Sequence, residues 1–449
     1  MKIKKKLKRS SRKNMHKGQL LWAKAKKIIP GGNMLISKRP ERFLPEKWPA
    51  YFSKTKGCNV WDLDGNKFVD LSLMGVGTNI LGYSNKEVDN AVRKVIKNGN
   101  LSTLNCPEEV ELAEKLISIH PWADMAKFTR SGGEANALAV RIARAATNKD
   151  KILVCGYHGW HDWYIASNLS NSKNLDKLLL PGIIPLGVPK GLKGTTLTFN
   201  YNDLKTVKTI LKKNKDICAI KMEVRRNFEP NKNFLKEIKK LCKKYKALLI
   251  FDECTSGFRE TYGGLHLKYK VDPDIAIFGK ALGNGYAINA IIGRSNVMKY
   301  AEKTFISSTF WTERIGPTAA LKTLEIMKRK KTWKKITKIG SQIKKRWKIL
   351  SKKHEIPIDI FGLDALCGFT IKNDKNNYLK SYITQEMLEQ GFLASNLIYV
   401  STEHNKKIID KYFKILDKVF FKIKKYSVNS NFKKFLNSKV AIQSFKRLN

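Results

Sequence analysis

The sequence predicts an α/β fold whose large domain is a mostly parallel sheet covered by helices on both faces, joined to a small α+β domain. Two observations carry this. Residues 151–155, 217–222, 247–251 and 274–278 are short runs that are apolar nearly throughout, the pattern of strands buried on both faces. Spans with helical spacing, such as 87–97 and 108–119, alternate with them, as a layered α/β domain requires. Beyond Pro317 the chain becomes helix-rich and very basic, with residues 364–372 as its clearest strand. A length of 449 residues is enough to bury one large core and a smaller one.

In chain order, residues 2–13 hold a dense run of Lys and Arg and read as a flexible basic tail. Residues 18–29 have helical apolar spacing and stop at Pro30-Gly-Gly32, a strong helix-end signal. Residues 58–70 read as a hairpin of two short alternating strands around an Asp64-Gly65 turn. The expected division is a tail (1–17), an N-terminal helix and hairpin belonging to the small domain (18–78), a large ligand-binding domain (79–316) and a C-terminal small domain (317–449). No internal repeat is visible.

Composition narrows the function. The formal net charge is +49, which invites a nucleic-acid reading through counterion release. Its distribution argues against one: lysines are spread over nearly every predicted helix, and no RNA-binding, zinc-finger or basic-zipper pattern occurs. Seven cysteines include no CxxC pair, so neither a disulfide framework nor a zinc site is expected, and the expected compartment is reducing cytoplasm. No run of 18 apolar residues and no secretory h-region is present, so no membrane partner is expected.

The chemistry concentrates at the strand ends. Asp252 follows the apolar run 247–251, and Lys280 follows Ile275-Ala-Ile-Phe278 among small residues that permit close backbone approach. A strand-end lysine and a buried carboxylate are the two groups a pyridoxal phosphate (PLP) enzyme needs. The lysine forms a Schiff base with the cofactor aldehyde, and the acid keeps the pyridine nitrogen protonated. Singly, each has an ordinary reading as a surface lysine or a salt-bridged aspartate. Ser131-Gly-Gly133 opens a helix whose free amides suit a phosphate monoester, although such a turn is more often a plain N-cap. Tyr157, in the loop after Cys155, is the choice for an aromatic stacked on the ring. The competing metal site from His158 and His161 is a weak ligand set, and no metal is expected.

At these motifs the chain resembles the class III aminotransferases of PLP fold type I, within them the glutamate-1-semialdehyde 2,1-aminomutase-like branch. The resemblance runs from about Lys26 to Leu324. It rests on the Pro-Gly-Gly turn, Trp61-Asp-Leu-Asp-Gly65, Ser131-Gly-Gly-Glu-Ala135, Gly156-Tyr-His-Gly159, Asp252-Glu-Cys-Thr-Ser-Gly-Phe-Arg259 and Phe278-Gly-Lys-Ala-Leu-Gly-Asn-Gly285. It implies Lys280 as the Schiff-base lysine, Asp252 as partner of the pyridine nitrogen, and Ser131, Gly132 and Gly133 as the phosphate cup. It further implies Tyr157 on the ring, Cys254 beneath it and Glu223 close to the cofactor. A threonine from a neighbouring subunit, Thr312 with Thr309 as second candidate, would reach the phosphate, which makes a homodimer with a shared site the expected assembly.

Three departures bear on substrate. Leu35 and Lys38 stand where aminomutases carry a serine and an arginine, and Gly75 stands where a tryptophan is expected. Val224-Arg-Arg226 also replaces the common proline after the strand glutamate. The expectation is therefore an aminotransferase moving an amino group from an amino donor to an aldehyde or keto acceptor. Glutamate-1-semialdehyde aminomutase is the alternative, and a non-catalytic basic nucleic-acid-binding protein the distant one.

Overall fold

The computed structural model describes residues 16–372, 374, 377–427 and 432–443; the basic run 2–13 lies outside them. The N-terminal helix Lys17–Ile28 ends at the expected turn, where Gly31 and Gly32 adopt φ of 74° and 79°, a conformation that glycine enters without strain. Strands β1 (Phe52–Lys56), β2 (Asn59–Asp62) and β3 (Lys67–Leu71) follow. β2 and β3 form the antiparallel hairpin expected around Asp64-Gly65.

The central sheet is built from β4 (Met125–Thr129), β5 (Lys151–Cys155), β6 (Thr196–Thr198), β7 (Ile217–Glu223), β8 (Leu248–Asp252), β9 (Ile275–Phe278) and β10 (Asn289–Gly293). Their spatial order is β4-β10-β9-β8-β7-β5-β6. β6, β5, β7, β8 and β9 run parallel, whereas β10 is antiparallel to both β9 and β4. Helix Gly132–Thr147 covers one face. Its Ala135, Leu138, Ala139, Ile142 and Ala143 pack with Ile152, Val154, Ala219, Ile250 and Ile277. Helix Phe234–Tyr245 covers the other face, setting Phe234, Leu235, Ile238 and Leu241 with Ile220, Met222, Leu249 and Phe251. Burial on both faces explains why β7, with all seven residues buried, opens with four apolar residues in succession, Ile217 to Ile220, rather than alternating.

The C-terminal part contains β11 (Ile358–Leu363), β12 (Leu366–Ile371), β13 (Phe392–Ala394) and β14 (Leu397–Tyr399). β11, β12 and β14 form a three-stranded sheet. β13 leaves it and pairs in parallel with β3, so that the N-terminal hairpin and the C-terminal part share one sheet. Helices Ile315–Lys330, Thr332–Lys353, Tyr378–Glu389 and Lys406–Ser427 surround these strands. Among the described residues no helix is long and apolar enough to cross a membrane.

Candidate active site

Parallel strands deliver their carboxyl ends to one edge of a sheet, and ligands bind there. Glu223 ends β7, Asp252 ends β8 and Lys280 lies just past β9. The pairing of Glu223 with Asp252 across β7 and β8 sets these two acids side by side.

Asp252 is buried and fully engaged. Its carboxylate meets His158 Nδ1 at 2.9 Å, accepts from the Cys254 amide at 3.1 Å and lies 3.9 Å from Lys221 Nζ. The Lys221 charge and the His158 hydrogen bond overcome the desolvation that alone would raise its pKa, and hold it well below the usual carboxylate range. The acid is thus held ionised at the end of β8. His158 thus meets Asp252 through Nδ1 and the Cys155 carbonyl through Nε2 at 3.2 Å, and His161 stacks on Trp160.

Lys280 is half-buried, and its Nζ donates to Thr255 Oγ1 at 2.7 Å. Burial, then the positive charge of Arg226, pushes its amine down to about 8, so its neutral form is far more accessible at neutral pH than that of an ordinary lysine. Its backbone has φ of 43°, a left-handed conformation that is rare for a residue with a side chain and concentrates at functional sites. Gly279 directly before it packs so tightly that a Cβ there would overlap the Asn289 side chain.

Ser131 is the N-cap of helix Gly132–Thr147 and forms a capping box: its Oγ accepts from Glu134 N, and Glu134 reaches back to the Ser131 amide. The Ser131 hydroxyl thus accepts as a cap, which uses its oxygen and not its O–H. The first amides of the helix, at Gly132 and Gly133, have no intrahelical acceptor. A Cβ on Gly133 would meet His161 Cε1 at 2.7 Å, so only glycine leaves room there. Cys254 Sγ sits 3.7 Å from the place of a Cβ on Gly132 and 3.4 Å from that on Gly279, between the helix turn and the lysine loop. Tyr157 is half-buried, and its amide donates to Glu223 Oε2 at 3.2 Å. Thr309 and Thr312 are exposed in a single 3-10 turn, Thr309–Thr312, where the Thr312 hydroxyl bonds the Thr309 carbonyl at 2.8 Å.

These residues fit pyridoxal phosphate. The glycine cradle and free amides suit its phosphate, the ionised Asp252 suits a protonated ring nitrogen, and the lowered amine of Lys280 suits its aldehyde. Four neighbours had no role assigned in the sequence reading: Thr255, Lys221, Arg226 and Arg259. Arg259 is fully buried, donating to the Thr255 carbonyl at 2.6 Å and the Gly77 carbonyl at 2.5 Å. It ties the lysine's hydroxyl partner to the turn containing Gly75, which adopts φ of 64°. Thr255 and Arg259 lie inside the quoted motif that begins at Asp252, and Arg226 inside Val224-Arg-Arg226, but their contacts, like that of Lys221, emerge only in the folded chain.

The family described as class-III aminotransferase matches residues 45–416. A 3-aminobutyryl-CoA aminotransferase from Cloacimonas acidaminovorans (strain Evry) is 35% identical over 381 residues, 81% of this chain and 86% of the relative. A glutamate-1-semialdehyde 2,1-aminomutase from Methanothrix thermoacetophila is 31% identical over 424 residues, 89% of this chain and 95% of the relative. Among solved structures, the PLP internal aldimine form of FumI from Sphingopyxis sp. MTA144 superposes with a TM-score of 0.83 at 23% identity, over 94% of this chain and 98% of that one. That likeness fixes the fold.

Proposed function

The chain belongs to the class-III aminotransferases, enzymes of pyridoxal phosphate, and from that premise we propose how its residues divide the work. Lys280 carries the cofactor, Asp252 faces the ring nitrogen, and Gly132, Gly133 and Ser131 hold the phosphate. Tyr157 would supply a stacking surface for the ring, and Cys254 and Glu223 would line its pocket. When bound, the cofactor supplies an electron sink for the carbon that bears the substrate's amine. With the cofactor bound, Lys280 Nζ would be the base that takes the proton from this carbon and gives it back. Thr255 holds the freed amine in place, and the lowered basicity of Lys280 suits it to both directions of transfer. The reaction moves an amino group from an amino donor to an aldehyde or keto acceptor.

The juxtaposition of Lys280 and Asp252 at neighbouring strand ends is the observation that carries this reading. Its test is spectroscopic. The purified protein with pyridoxal phosphate develops a visible absorption band that amino donors bleach, and Lys280→Ala lacks the band; a band that survives this substitution ends the assignment of Lys280. The aminomutase relative favours a second reading, in which donor and acceptor are one molecule. Supplying glutamate 1-semialdehyde and finding no 5-aminolevulinate removes it.

The assembly we propose is a homodimer whose Thr312, with Thr309 as alternate, completes the partner's phosphate site. Exposed Phe305 and Phe310 beside that turn, at 85% and 70% exposure, support it as a buried contact. Light scattering of the purified protein distinguishes monomer from dimer. The seven cysteines are all free thiols, which supports a reducing cytoplasmic location.

A further inference from the structure

Lys221 stands in the middle of β7, between Val154 of β5 and Ile250 of β8. Residues two apart along a strand share a face, so Lys221 points the same way as Ala219 and Glu223. That is the face covered by helix Gly132–Thr147, whose apolar residues pack with Val154, Ala219 and Ile250. An apolar side chain would suit this layer and carry no desolvation cost. Lys221 is instead fully buried, and among the described residues its Nζ has no hydrogen-bond partner and lies 3.9 Å from Asp252 Oδ2. Packing does not account for an ammonium there, whereas the acid does.

The two oxygens of Asp252 are used differently. Oδ2 meets His158 Nδ1 at 2.9 Å and faces Lys221, while Oδ1 accepts from the Cys254 amide at 3.1 Å. A carboxylate oxygen has two lone pairs, so Oδ1 keeps one for a ring N–H. An ordinary lysine titrates at 10.5 and an ordinary histidine at 6.5; burial lowers both residues here, and the Lys221 charge lowers His158 further. The lysine is therefore the cation of the trio, and the histidine is a neutral donor.

A carboxylate facing a pyridine nitrogen shares one proton with it, and the ring is a strong electron sink only while that proton sits on nitrogen. A positive charge beside Oδ2 disfavours a proton on the acid more than a proton on a ring held at the other oxygen, because Coulomb energy falls with distance. We propose that Lys221 is a positioning residue: acting through Asp252, its ammonium keeps the shared proton on the cofactor's ring nitrogen. The inference rests on the aminotransferase reading and adds to it a residue that works through another.

The test is nitrogen NMR of wild type, K221M and K221Q, each loaded with pyridoxal phosphate carrying an isotopic label at the ring nitrogen. The wild type gives the shift of a protonated ring at neutral pH. Both variants move that shift toward the unprotonated value, because both remove the charge, although glutamine keeps a polar head and methionine does not. Two variants of different polarity keep the comparison open if one of them fails to fold. A wild-type ring that is unprotonated overturns the proposal. So do neutral variants whose bound ring keeps the wild-type shift while only their retention of the cofactor drops, since Lys221 is then a packing residue; either result leaves the aminotransferase reading standing. A wild type whose added cofactor shows only the signal of the free compound overturns both.

Discussion

Lys221 is the most exacting residue in the molecule. It is fully buried, its Nζ has no hydrogen-bond partner, and Asp252 at 3.9 Å is its nearest countercharge. Breaking a buried pair by removing one partner strands the other, whereas replacing both by apolar side chains of similar volume is often neutral or better. Asp252→Ala should therefore cost about 3–5 kcal/mol, Lys221→Met should cost less because His158 and the Cys254 amide still hold Asp252, and the double variant should recover part of the loss; urea denaturation measures all three. Lys280 makes a prediction in pH. Its folded value of about 8 lies below the ordinary 10.5, so between these values the unfolded chain binds more protons and stability rises with pH. Below about 8 the charged amine is a full penalty. Lys280→Met should raise the stability of the cofactor-free protein at pH 7, and the gain should shrink by pH 10. Lys280 and Asp252 stand out in the sequence because each follows an apolar run that fixes its place at a strand end. Lys221 interrupts such a run, and nothing local says that its amine will lie against an acid from the next strand.

Among the elements, helix Gly132–Thr147 joins the core to the site. Its capping box satisfies two backbone donors at the end that faces the proposed phosphate. Ser131→Ala should lower stability by about 1 kcal/mol and weaken retention of pyridoxal phosphate, read by denaturation and by dialysis of the coloured protein. Helix Thr332–Lys353 depends on one close approach: a Cβ on Gly340 would overlap the Asp364 carbonyl at the β11–β12 turn. Gly340→Ala must push the helix off that turn and should cost at least about 1–3 kcal/mol. Strands β5, β7, β8 and β9 were legible in the sequence because both of their faces are buried. β10, equally buried, was missed because it follows the lysine loop without a helix between, as an antiparallel neighbour can. β6, three residues long, offers too little pattern to read. The pairing of β13 with β3 was invisible for a different reason: register between segments so far apart is set by the packed whole.

At the scale of the molecule, the net charge is +49, and among the described residues many of the lysines lie on outward helix faces. In helix Phe234–Tyr245 the apolar residues are buried while Lys236, Lys243 and Lys244 stay in water. Such a surface repels itself, and salt screens that repulsion. The melting temperature should climb as NaCl rises from 20 to 300 mM, where a protein balanced in charge would show little change. The parallel pairing of β3 with β13 carries one last consequence, for biosynthesis. A ribosome releases residues 67–71 long before residues 392–394, and at ~5–20 residues per second the nascent hairpin waits tens of seconds with an open edge. Folding here is completed from both ends of the message at once, so a truncated transcript yields a chain whose first sheet has no closing strand and whose fate is a chaperone or a protease.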